Sequence, residues 1–187
     1  AEEDPLYLLT EGERIGSFDL KETFATQGMQ GTLFRAVAWR GSPQFPEGEI
    51  CLIKGIKAPP SVIPKEEFDD AMKIYAKAYR AFYNERRILY TLRKEYVPGE
   101  ENHLVQLVEC NLDPSGGKPY IAMRFVPRAE TVQKITSRQA LVILHDLAQA
   151  LKTLSTRGIS HGDVKPENII ISPEGRATLI DLGCAIY

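Results

Sequence analysis

The chain has 187 residues, 43% of them apolar, with 23 Lys and Arg against 25 Asp and Glu for a formal net charge of −2. That length fits one domain or two small lobes, and the apolar content can build a core. The interspersed charge excludes the electrostatic footprint of a nucleic-acid or acidic-membrane binder, and no apolar run approaches the roughly 20 residues of a membrane helix. Cys51, Cys110 and Cys184 lie far apart in or beside apolar runs. They read as small buried or half-buried residues of a reducing compartment, not as a disulfide frame or metal site.

Residues 1–23 are acidic and weakly periodic, and read as an N-terminal extension without chemistry. Phe24 to Arg40 is expected to form two strands around a glycine turn holding Thr26, Gly28 and Gly31 and leading into Leu33. Gly41 to Gly48 reads as a hairpin loop, and Ile50-Cys51-Leu52-Ile53-Lys54 as a strand that ends on a lysine. By itself such a lysine is a solvated charge. Pro64 opens a long helical stretch to about Lys94, with Phe68, Met72, Tyr75, Tyr79, Phe82, Leu89 and Leu92 recurring at helical spacing. At 1.5 Å per residue it spans roughly 45 Å. Glu85 within it, taken alone, is a surface glutamate among arginines.

Two strands, Leu104 to Cys110 and Tyr120 to Val126, are expected around Asp113-Pro114-Ser115-Gly116-Gly117. Gly116-Gly117-Lys118 is not a Walker phosphate loop, because Leu112 stands where glycine is required and Pro119 where Ser or Thr is required. Ser137 to Thr156 reads as an amphipathic helix with Ser137 as N-cap, Leu141, Leu144, Ala148 and Leu151 on its core face, and Gly158 as its stop.

The most informative stretch is His161-Gly162-Asp163-Val164-Lys165-Pro166-Glu167-Asn168, followed by an Ile169 to Ile171 strand, a turn at Ser172 to Gly175, a return strand and then Asp181-Leu182-Gly183. Its chemistry is that of phosphoryl transfer, which needs an oriented hydroxyl, neutralised phosphate oxygens and a held Mg²⁺. Asp163 can orient the hydroxyl, Lys165 can face the phosphate, and Asn168 and Asp181 supply the oxygen ligands that hard Mg²⁺ prefers.

These letters resemble the catalytic loop and metal motif of eukaryotic-type protein kinases, and Asp-x-Lys-Pro-Glu-Asn is similar to the serine/threonine class. The resemblance implies an α+β, protein-kinase-like two-lobe fold: an antiparallel-sheet N-lobe with a long αC helix over residues 24–126, hinge included, and a helical C-lobe over 127–187 that stops early. It implies ATP and Mg²⁺ as cofactors and a protein substrate, with a partner or further segment completing the C-lobe. Thr26, Gly28, Gly31 and Leu33 then align with the nucleotide-covering loop, Thr26 in place of its first glycine. Lys54 takes the strand-lysine position and Glu85 that of its αC partner. Met123 backs the adenine pocket, Arg124 to Val126 form the hinge, and Glu130 stands near the ribose. Gly162 replaces the arginine that many kinases carry, so no guanidinium beside Asp163 receives an activation-loop phosphate.

Two other readings stay open: a pseudokinase that binds nucleotide without transfer, and a small-molecule phosphotransferase like the aminoglycoside and choline kinases. The expected setting is intracellular and soluble, in the cytoplasm or, after removal of a targeting peptide, in an organelle.

Overall fold

The computed structural model of the chain describes residues 9–24, 32–43, 45–56, 65–93, 102–111, 118–130 and 135–187. It divides into two compact units, Ala1–Arg86 with Leu107–Phe125, and Arg87–Gln106 with Val126–Tyr187.

The first unit is built on an antiparallel sheet of six strands: β1 (Arg14–Ile15), β2 (Phe18–Phe24), β3 (Thr32–Ala38), β4 (Ile50–Gly55), β5 (Leu107–Asn111) and β6 (Tyr120–Arg124). Their order is β1-β2-β3-β4-β6-β5. The sheet begins earlier than the glycine-turn pattern suggests, because Phe18 and Leu20 alternate with Asp19 and Lys21 and bury one face of β2. The same period on β4 sends Cys51 and Ile53 into a core shared with Phe18, Leu20, Phe34 and Ala122, and leaves Lys54 on the opposite face with Leu52. Burial pushes the Cys51 thiol up to about 12, with smaller pushes from Glu109 and Glu49, so it remains a protonated packing residue.

A second constraint ties the sheet edge to its far strands. Glu109 accepts from the Ser17 hydroxyl at 2.7 Å, the Ser17 amide at 3.2 Å, and the Tyr120 hydroxyl. Gly16 sits above them at φ +51°, where a Cβ would overlap the Tyr120 hydroxyl and Glu109 Oε1.

Helix α1 (Phe68–Arg93) follows a short 3-10 turn at Lys65–Glu67. Asp69 and Asp70 in its first turn and Arg93 in its last complement the helix dipole. The expected stripe is core only in part. Phe82, Leu89 and Leu92 are buried, but Phe68, Met72 and Tyr79 stand 50%, 39% and 38% exposed. The buried face runs instead through Ala78, Phe82, Glu85, Leu89 and Leu92.

In the second unit, α2 (Ser137–Ser155) is capped by Thr136 rather than Ser137. The Thr136 hydroxyl accepts from the Gln139 amide at 3.2 Å while Gln139 Oε1 accepts from the Thr136 amide at 2.9 Å, a reciprocal capping box. Its core face is also corrected. Asp146, Ala150 and Leu154 are the buried residues, while Leu141 and Leu144 are 67% and 62% exposed and Leu151 is exposed as well. The helix is apolar on two sides, so periodicity located a stripe without fixing which side faces the hairpin β7 (Ile169–Ile171) and β8 (Ala177–Leu179). That hairpin stands where the sequence placed it, closed by the Ser172 amide on the Arg176 carbonyl at 2.9 Å.

Asp146 is the polar centre of this unit. Arg176 grips it with two donors at 2.9 Å, the Ala177 amide donates at 3.0 Å, and His103 Nε2 lies 3.5 Å away. Burial alone would raise the carboxyl, but the bonds from Arg176 and Ala177, with the His103 and Arg176 charges, bring it down to about 2. A lowered folded pKa contributes stability above the ordinary value of 3.8 and loses it as pH falls toward 2. Chemical denaturation should therefore show stability level from neutrality to about pH 4 and falling below it. Asp146→Asn should cost about 2–4 kcal/mol at pH 7 and flatten that acid limb.

Candidate active site

On the sheet unit, the strand lysine and the helix glutamate meet. β4 aims Lys54 at α1, and its Nζ donates to Glu85 Oε2 at 2.5 Å, with the two side chains only 13% and 2% exposed. A carboxylate so buried is tenable only beside a cation. The ammonium is thus oriented by the Glu85 carboxylate. Leu33 pairs across the sheet with Lys54. Met123 is buried on β6 opposite Leu52. Arg124 ends that strand with its guanidinium 3.0 Å from Glu49. Thr26, Gly28 and Gly31 lie outside the described residues.

The second unit gathers the other polar residues. The loop after α2 leads through buried His161 into a 3-10 turn at Pro166–Asn168 and on into β7. Asn168 Nδ2 donates to the Asp163 carbonyl at 2.8 Å and to its Oδ2 at 3.0 Å, and Lys165 Nζ lies 2.7 Å from the same oxygen. The hydrogen bond from Lys165 foremost, and that from Asn168, hold the Asp163 carboxyl below its ordinary range against the opposing pull of burial. Lys165 is raised in turn, first by its bond to Asp163 and then, against burial, by the charges of Asp163, Glu167 and Asp181. Asp163, Lys165, Asn168 and Asp181 thus act on one another within one unit.

Asp181 sits in the left-handed region at φ +61°, with its Oδ1 accepting from the Gly183 amide at 3.1 Å. Aspartate tolerates this conformation because its short side chain bonds locally. Val126 is half-buried, and Glu130 is exposed beside Ala129, whose amide bonds the Ile171 carbonyl at 2.9 Å.

An ionised carboxylate that also receives an amide and an ammonium can orient a hydroxyl for attack, and an amide oxygen and a carboxylate, the groups that Asn168 and Asp181 carry, are of the kind that suits a hard cation. Compared with known families, residues 63–187 match the protein kinase domain. The chain belongs to the protein kinase family. Among similar proteins, a Wee1-like protein kinase of Arabidopsis thaliana is 48% identical over 52 residues, covering 28% of this chain and 10% of that protein. Serine/threonine-protein kinase PknB of Mycolicibacterium smegmatis is 38% identical over 78 residues, 38% of this chain and 12% of its own. Rho-associated protein kinase let-502 of Caenorhabditis briggsae is 28% identical over 171 residues, 88% of this chain and 13% of its own. The chain spans about a tenth of the length of these relatives.

Two residues of this kinase loop have positional roles that the letters alone did not assign. His161 Nε2 bonds the Ile180 carbonyl at 3.1 Å and its Nδ1 receives the Asp163 amide at 3.3 Å, so the ring ties the loop to the segment before Asp181. Gly162 adopts φ +77°, and a Cβ there would come 2.5 Å from the Cys184 carbonyl oxygen. The arginine common at this position in kinases is thus excluded by backbone geometry. Cys184 is exposed, not buried as its apolar surroundings suggested.

Because Lys165 is the first cause of the Asp163 shift, Lys165→Met should raise the Asp163 carboxyl pKa, read by carbon-detected NMR titration. Asn168→Ala should raise it less. An unchanged titration in both would refute the network.

Proposed function

We propose that this chain transfers the γ-phosphate of Mg-ATP to serine or threonine hydroxyls of a protein. The observation that carries the reading is the Asp163 carboxylate held between Lys165 and Asn168, in a chain of the protein kinase family. Asp163 is acceptor-only near neutrality, so it orients the hydroxyl and takes its proton late, as bond formation acidifies it. Lys165 faces the transferring phosphoryl group, and Lys54, oriented by Glu85, holds the other phosphates.

Asn168 commits its Nδ2 to Asp163 and so keeps its carbonyl oxygen for a cation, as Asp181 supplies a carboxylate, a donor set that fits Mg²⁺. Mg²⁺ bound there neutralises phosphate charge. In this reading the loop with Thr26, Gly28 and Gly31, Leu33, Met123, the Arg124 and Val126 backbone, and Glu130 contact the nucleotide. In this reading residues 24–126 are the kinase N-lobe and hinge, and 127–187 the part of the C-lobe that carries the catalytic loop and metal motif. Serine/threonine selectivity draws support from the Lys-Pro-Glu-Asn letters and from the names of relatives such as PknB. Among the described residues no helix is long and apolar enough to cross a membrane, and an intracellular setting is part of the proposal.

Incubated with labelled Mg-ATP and a generic protein acceptor, the chain should label serine and threonine. Asp163→Ala should cut the rate on the order of 10²- to 10⁴-fold with little change in nucleotide affinity. Asp181→Asn should weaken Mg-dependent nucleotide binding itself. Binding without transfer would reassign the chain as a nucleotide-binding scaffold, and transfer to an aminoglycoside or choline alone would reassign its substrate class.

A further inference from the structure

Among the described residues, only His103 and Asp181 carry a side chain on a left-handed backbone, at φ +56° and +61°. That conformation costs free energy for any residue with a Cβ, and it persists where the surroundings impose it. At His103 they do so through β8. The ring Nδ1 lies 3.1 Å from the Ala177 carbonyl, which can only accept, so Nδ1 donates. The backbone carbonyl of the same residue accepts the Leu179 amide at 2.8 Å. One residue thereby grips β8 at two points, and glycine, which would relieve the backbone, would forfeit the ring.

The grip extends in both directions. The Val105 amide donates to the Leu179 carbonyl at 3.0 Å and Leu104 bridges Leu179 in parallel, so residues 103–105 line the edge of β8 that β7 leaves open. On its other side the ring, 7% exposed, is wedged against the ion pair of α2, with Nε2 3.3 Å from Arg176 Nη2 and 3.5 Å from Asp146 Oδ1. β8 then runs directly into the site. The Ile180 amide donates to the Asn168 carbonyl at 2.9 Å, and Asp181 follows.

We propose that His103 is a positioning residue for the metal site: by holding the open edge of β8 it sets where Ile180 meets Asn168 and hence where the Asp181 carboxylate stands. The inference rests on the assignment of Asn168 and Asp181 to Mg²⁺ made above. Partners of this kind, which touch no metal themselves, commonly govern affinity for it.

The test separates positioning from plain stability. His103→Gly keeps the backbone conformation and deletes the ring; His103→Asn tolerates the left-handed backbone and returns a donor near the place of Nδ1. Calorimetric titration of the chain with ATP over a Mg²⁺ series should show the half-saturating Mg²⁺ rising on the order of tenfold in His103→Gly and falling back in His103→Asn. Leu154→Ala, a deletion in the buried face of α2, should lower the melting temperature and leave that Mg²⁺ requirement unchanged. Hydrogen exchange without metal should quicken at the Ile180 and Gly183 amides in His103→Gly and not in Leu154→Ala. An unchanged Mg²⁺ requirement in His103→Gly overturns the proposal, as does an equal shift in Leu154→Ala or a His103→Asn chain that fails to recover. A wild-type chain without Mg-dependent nucleotide binding sinks the reaction proposed above instead, and the exchange at Gly183, whose amide donates to Asp181, still decides whether the ring holds that carboxylate.

Discussion

A buried carboxylate decides how α1 is set. Periodicity alone would turn Phe68, Met72, Tyr75 and Tyr79 toward the sheet, since they form the most aromatic face of the helix. Glu85 lies well away from that face, and it can be buried only by reaching the Lys54 ammonium at 2.5 Å. Satisfying the ion pair goes with a helix setting in which Ala78 and Phe82 are buried and Phe68, Met72 and Tyr79 are exposed. One electrostatic requirement thereby fixes the strand lysine and the outer face of the helix together.

The same economy recurs in both units. Glu109 joins the β1–β2 turn to β5 and β6 through Ser17 and Tyr120, and Asp146 joins α2 to β8 through Arg176 and the Ala177 amide. Asp146 is buried and Glu109 half-buried, and each gathers donors from segments distant in sequence. A chain that mispaired any of these elements would strand a charge, at a cost of several kcal/mol. Apolar burial makes each unit condense, and the carboxylates select which condensed form is native.

Much of the site was legible because its letters encode local geometry. The loop from His161 to Asn168, the β7–β8 hairpin and the approach to Asp181 depend on neighbours in sequence, and proline and glycine punctuate them. The pairing of Lys54 with Glu85 was legible only through family resemblance, because nothing local distinguishes that glutamate from others on an arginine-rich helix. Other features turned on tertiary context. Strand β2 was obscured by the charges on its outer face, and Thr136 outcompeted Ser137 as cap because only its hydroxyl reaches the Gln139 amide. The core side of α2 is marked by an aspartate, a residue that pattern reading assigns to solvent. Asp146 could have been suspected only by asking why a carboxylate sits among Ile143, Leu147 and Ala150.

Gly162 carries the most distinctive consequence for how such a kinase could be controlled. Its left-handed backbone lies against the Cys184 carbonyl, leaving no volume for any side chain. Grafting in the arginine that many kinases use to sense a phosphorylated segment would push the strand-like contact between Ser160 and Ile186 apart before it offered a charge. Two neighbouring segments would have to be rebuilt together before any side chain could stand at this position.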